Sequence, residues 1–132
     1  MIRTLVVDDE PDLRRVLRLA IEQRNEGLTV IGEASAGKDA LDQLDVADPT
    51  VVVLDQMMPG MDGLETAARI LERRPEQLIV LYSAFLDANL QRSAAQIGIT
   101  ACLRKGKPKD LADFVHKLAS STGGAGTVGI SV

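Results

Sequence analysis

The chain has 132 residues, 45% of them hydrophobic, and a formal net charge of −4 at neutral pH. That length predicts one domain able to bury a core without a disulfide or structural metal, and the hydrophobic fraction excludes a disordered chain. The acidic balance offers no general attraction to nucleic acid, and nowhere do about 18 apolar residues run together as a membrane span requires. Cys102 is alone, which rules out an internal disulfide and fits a reducing, cytoplasmic setting; no basic and apolar leader precedes the first apolar run, so no secretion signal is expected. With three aromatic residues in all (Tyr82, Phe85 and Phe114), the core must be aliphatic.

Ile2 to Val7 is apolar and partly β-branched and predicts a buried strand, stopped by Asp8-Asp9-Glu10-Pro11. Pro11 suits the first helical position, and the acidic side chains lie at the favourable end of the helix dipole. Leu13, Val16, Leu17, Ala20 and Ile21 recur at steps of three and four, predicting a helix from Asp12 to about Gln23 that ends at Asn25 to Gly27. A second strand, Leu28 to Ala34, precedes a helix from about Lys38 to Val46. The run Thr50-Val51-Val52-Val53-Leu54-Asp55 does not alternate, as expected of a central parallel strand covered on both faces. A loop, Gln56 to Met61, leads to a helix from about Asp62 to Arg73. Strand Leu78 to Tyr82, helix Ala88 to Ile97, strand Ile99 to Leu103 and helix Pro108 to about Ser120 complete the series.

Strand then helix, five times over, predicts an α/β, doubly wound, five-stranded parallel sheet in a three-layer sandwich. Periodicity does not set the strand order; analogy with flavodoxin-like folds suggests 2-1-3-4-5. Residues 1–121 are expected to form this domain, and 122–132, with four glycines, a flexible tail or linker remnant.

In an open parallel sheet ligands bind beyond the carboxyl ends of the strands. At those ends stand Asp8 and Asp9, then Asp55, then Ser83, then Arg104-Lys105. Three carboxylates in one place need a cation, and Mg²⁺ suits carboxylates together with phosphate oxygens and water. A carboxylate nucleophile, Mg²⁺ and a lysine together point to phosphoryl transfer that makes an aspartyl phosphate. Asp55 is the preferred nucleophile because it closes the most apolar strand; Asp8 and Asp9, ahead of a helix, are placed to hold metal. Ser83 can donate a hydrogen bond to a phosphoryl oxygen.

These pieces, with Leu54-Asp55-Gln56-Met57-Met58-Pro59-Gly60-Met61-Asp62-Gly63 and Ser83-Ala84, resemble the receiver domain of two-component response regulators from Ile2 to about Ala119. The resemblance implies that Asp55 takes a phosphoryl group from a histidine kinase, so that the domain catalyses its own phosphorylation and dephosphorylation rather than turning over external substrates. It also implies that Asp9 holds Mg²⁺ directly, Asp8 does so through water, and the Met57 carbonyl completes the protein's share. Ser83 and Lys105 would contact the phosphoryl group. Gly32-Glu33-Ala34-Ser35 and Pro59 to Glu65 resemble the subfamily that usually carries a C-terminal helix-turn-helix domain. DNA contact, and with it transcription regulation, is expected only through such a domain, and the chain is expected to be either a stand-alone receiver or a fragment cut in the linker. Self-dimerisation is common in the family, and the spacing chooses no face for it.

Two departures stand out. Cys102 occupies the position where the family commonly has a switching Tyr or Phe, so coupling is expected either to run through Ser83, Tyr82 or Phe85 or to be weak. Lys105 is followed by Gly106-Lys107-Pro108 rather than directly by proline. The main alternative function is a phosphorylation-independent interaction module with the same fold. A phosphate-ester hydrolase is disfavoured because no second acid/base carboxylate follows the nucleophile. Gly32 to Asp39 approaches the phosphate-loop pattern, but Asp39 stands where a hydroxyl is needed. Cys102 reads as a packed core thiol and His116 as a half-exposed helix residue.

Overall fold

The computed structural model describes residues 1–24, 27–121 and 130–131. Its elements are β1 (Ile2–Val7), α1 (Pro11–Arg24), β2 (Leu28–Ala34), α2 (Gly37–Ala47), β3 (Val51–Asp55), α3 (Gly63–Arg73), β4 (Leu78–Ser83), α4 (Ala88–Ile97), β5 (Ala101–Arg104), α5 (Pro108–Ser121) and β6 (Ile130–Ser131). The five expected strands are parallel and stand in the order 2-1-3-4-5, with the two-residue β6 pairing parallel to the outer edge of β5. The expected glycine-rich tail falls otherwise on 122–129 and 132, and the helix end expected from Asn25 falls on 25 and 26; both lie outside the described residues.

The side-chain alternation of β3 builds two cores at once. Val52 and Leu54 join Leu5, Val7, Ile79, Leu81 and Cys102 under α2, α3 and α4, while Val51 and Val53 join Val6, Val80, Tyr82 and Leu103 under α1 and α5. All five residues of β3 are buried, which explains its unbroken apolar run. No helix among the described residues is long and apolar enough to cross a membrane. Gly32 lies within β2, so the phosphate-loop look-alike begins in a paired strand rather than in a loop.

Two boundaries differ from the sequence expectation for local reasons. β5 starts at Ala101 because the Ile99 amide donates to the Ala94 carbonyl, closing α4 behind Gly98, whose φ of 105° suits glycine. Asp62 is the cap of α3 rather than its first residue; its carboxylate accepts from the Glu65 amide at 2.9 Å.

The start of α3 is pressed onto the end of β3. A Cβ on Gly63 would lie 2.6 Å from the Asp55 carbonyl oxygen, 2.7 Å from Leu81 Cδ1 and 2.8 Å from Gln56 Cα. Two of those neighbours are backbone and cannot swing away. Gly63→Ala is therefore expected to destabilise the fold by about 2 kcal/mol through overpacking, read as a lower urea midpoint at unchanged slope.

Candidate functional site

The register sets the site. Val7 pairs with Leu54, Asp55 with Tyr82, and Tyr82 with Leu103, so one row across the sheet runs Asp8, Asp55, Tyr82, Leu103. Alternation turns these side chains towards α1 and α5, because Val6, Val53 and Val80, two residues earlier in each strand, face that core. Lys105, just past β5, reaches back over the row and is anchored by its own amide, which donates to the Ser83 carbonyl at 2.9 Å.

One ligand oxygen from each of Asp8, Asp9 and Asp55 lies within 4.8 Å of the others. Asp8 and Asp55 are buried, at 0% and 1% exposure, and Asp9 is half-buried. Lys105 Nζ lies 3.1 Å from Asp55 Oδ1 and 3.5 Å from Asp8 Oδ2. Asp8 Oδ1 accepts from the Glu10 amide at 2.8 Å, Asp8 Oδ2 from the Tyr82 hydroxyl, and Asp55 Oδ1 from the Met57 amide at 3.2 Å.

The charges do not balance. Burial, and next the Asp8 charge, hold the Asp55 carboxyl above its ordinary pKa, against the opposing pull of Lys105 and the Met57 amide. Burial alone would lower the Lys105 pKa, but Asp55 and Asp8 outweigh it and hold the ammonium above its usual value. One ammonium thus answers three clustered carboxylates, and every converging donor is a hard oxygen. This donor set fits a divalent cation.

The sequence matches the model of the response regulator receiver domain over residues 4–118. The chain belongs to that family. It is similar to the nitrate/nitrite response regulator protein NarL of Escherichia coli K12, with 33% identity over 117 residues, 88% of this chain and 54% of that protein. It is also similar to protein-glutamate methylesterase/protein-glutamine glutaminase 4 of Myxococcus xanthus, with 36% identity over 115 residues, 86% of this chain and 32% of that protein. The chain therefore spans about a third to a half of the length of these relatives, whose names describe unlike outputs. Among solved structures, the signal receiver domain of the response regulator NarL from Mycobacterium tuberculosis superposes with a TM-score of 0.83 at 29% identity, covering 91% of this chain and 97% of that one.

Within this receiver the remaining candidates lie at different distances from the acidic cluster. The Ser83 hydroxyl is buried and bonds its own loop, accepting from the Phe85 amide and donating to the Phe85 carbonyl, each at 3.2 Å. Met57 and Phe85 are exposed at the rim. Cys102 faces the opposite core, where burial pushes its thiol pKa up, so it is removed from the site. His116 lies on α5 beside Arg24, with its Nδ1 at 3.3 Å from that guanidinium. Two contributors lie outside the expected catalytic and metal residues, with Tyr82 expected from the sequence only as a coupling residue. Gln56 accepts from the Leu64 amide at 2.9 Å and so ties the loop after Asp55 to α3, and Tyr82 enters the cluster itself. Alternation could have found Tyr82, since it stands one residue before Ser83 and in line with Asp55.

Proposed function

We propose that this receiver accepts a phosphoryl group on Asp55 from a phosphohistidine of a histidine kinase, with Mg²⁺ held by Asp8, Asp9, Asp55 and the Met57 carbonyl. The observation that carries this reading is the convergence of Lys105 Nζ on Asp55 and Asp8 beside a third carboxylate, at the end of the most buried strand. An Asp55 carboxylate oxygen attacks phosphorus, the phosphorus–nitrogen bond of the donor breaks, and its electron pair stays with the imidazole. Mg²⁺, when bound, supplies positive charge to the transferring oxygens. Lys105 holds an equatorial oxygen, and the Ser83 hydroxyl leaves its Phe85 partners to donate to another. That exchange draws the loop after β4 inward and shifts the population of packings at α4, β5 and α5, which is the signalling output. Residues 1–121 carry the switch, and 122–132 serve as tail or linker.

The test is incubation of the chain with acetyl phosphate and Mg²⁺, followed by intact-mass measurement and peptide mapping. One phosphoryl increment at Asp55, dependent on Mg²⁺, is expected; no increment, or one on another residue, sinks the reading. A second reading, a binding module indifferent to phosphorylation, draws on Cys102, which cannot swing as a ring does. It is favoured if partner binding is the same before and after acetyl phosphate treatment.

A further inference from the structure

Tyr82 is the only tyrosine of the chain, and there is no tryptophan. It is 3% exposed, its hydroxyl donates to Asp8 Oδ2, and Lys105 Nζ lies 4.9 Å from its ring centroid. Asp8 is thereby gripped from two elements, by the Glu10 amide ahead of α1 on one oxygen and by the β4 phenol on the other. Without the phenol, the buried Oδ2 would have only the ammonium 3.5 Å away to neutralise it. Lys105 itself approaches Asp55 more closely, at 3.1 Å.

We propose that Tyr82 is a positioning residue of the cation and phosphoryl site: its hydroxyl locks the Asp8 carboxylate for the metal, and its ring seats Lys105 towards Asp55. This rests on the phosphoacceptor reading above and deepens it. The physical case is one of division of labour. A carboxylate that bridges to a metal must hold one orientation, and an outer hydrogen bond is the usual means of holding it. A cation over a ring face gains a position without losing its donors, so Lys105 keeps its N–H groups for Asp55 and for the incoming oxygens.

Tyr82→Phe removes one oxygen and keeps the ring, the packing and the seat for Lys105. By calorimetry, the variant is expected to bind Mg²⁺ about tenfold more weakly than the wild type. With acetyl phosphate, the Mg²⁺ concentration giving half-maximal phosphorylation should rise by the same factor. The rate at saturating Mg²⁺ should change by less than about twofold, as fits a loss of binding rather than of chemistry. In the wild type the single tyrosine emission should change with Mg²⁺ along the calorimetric isotherm, since the hydroxyl rests on Asp8. Equal or tighter Mg²⁺ binding by the variant, or wild-type emission indifferent to saturating Mg²⁺, overturns the assignment to Tyr82 alone. Failure of the wild type to bind Mg²⁺ overturns the phosphoacceptor reading as well.

Discussion

Asp55→Asn is expected to abolish phosphorylation by acetyl phosphate, a loss of at least about 10³-fold, because an amide oxygen is a poor nucleophile at phosphorus. The same substitution is expected to stabilise the metal-free fold at neutral pH. Burial and the Asp8 charge raise the folded pKa of Asp55 above its unfolded value. The folded chain therefore binds this proton more tightly than the unfolded chain does. Stability falls as pH rises from the ordinary carboxylate range through the raised value, and the ionised group remains a cost above it. Asparagine carries no such charge, so in a chelator at neutral pH the variant should melt a few degrees higher. The difference should shrink in more acidic buffer, as pH falls through the raised value towards the ordinary carboxylate range and Asp55 of the wild type takes up its proton. Thermal unfolding of both chains at the two pH values checks this. A variant that melts lower at neutral pH would mean that the pair with Lys105 outweighs burial and repulsion.

Lys105→Met has the opposite effect on the fold and a comparable one on the chemistry. Methionine keeps an apolar stem over the Tyr82 ring but withdraws the ammonium from two carboxylates that are 0% and 1% exposed. Breaking a buried pair from one side costs about 3–5 kcal/mol; because solvent reaches Lys105 (22% exposed), the expected loss is lower, about 2 kcal/mol in metal-free neutral buffer. Mg²⁺ should restore much of that stability, since it answers the same carboxylates. It should not restore the rate of phosphorylation, which is expected to fall by about 10²–10³-fold with the loss of a preorganised donor at the phosphoryl oxygens. Urea denaturation with and without Mg²⁺, beside a phosphorylation time course, separates the two effects. A variant as active as the wild type would remove Lys105 from the mechanism.

The receivers that resemble this chain belong to proteins with unlike names, a nitrate/nitrite response regulator and a methylesterase/glutaminase, and the chain covers only part of each. The departure at Cys102 is local: the thiol is packed under α2, α3 and α4, while the acidic cluster opens on the other side of the sheet. A ring is nonetheless present next to Lys105, on β4 rather than β5, and its hydroxyl donates directly to Asp8.

Sequence alone determined the alternation of strands and helices and the polar residues waiting at the strand ends. Those are local properties, written in spacing, in β-branched runs and in the stops at Asp8, Asp55 and Ser83. It also carried a helix start near Asp62, although not that Asp62 caps the helix, nor the reason for the glycine after it, which is the Asp55 carbonyl 2.6 Å from where a Cβ would stand. Tertiary structure decided which strands are neighbours and in what register, because crossovers between distant segments leave no trace in periodicity. That register places Asp8, Asp55 and Tyr82 in one row on one face, turns Cys102 to the other, and lets Lys105 reach back across the row.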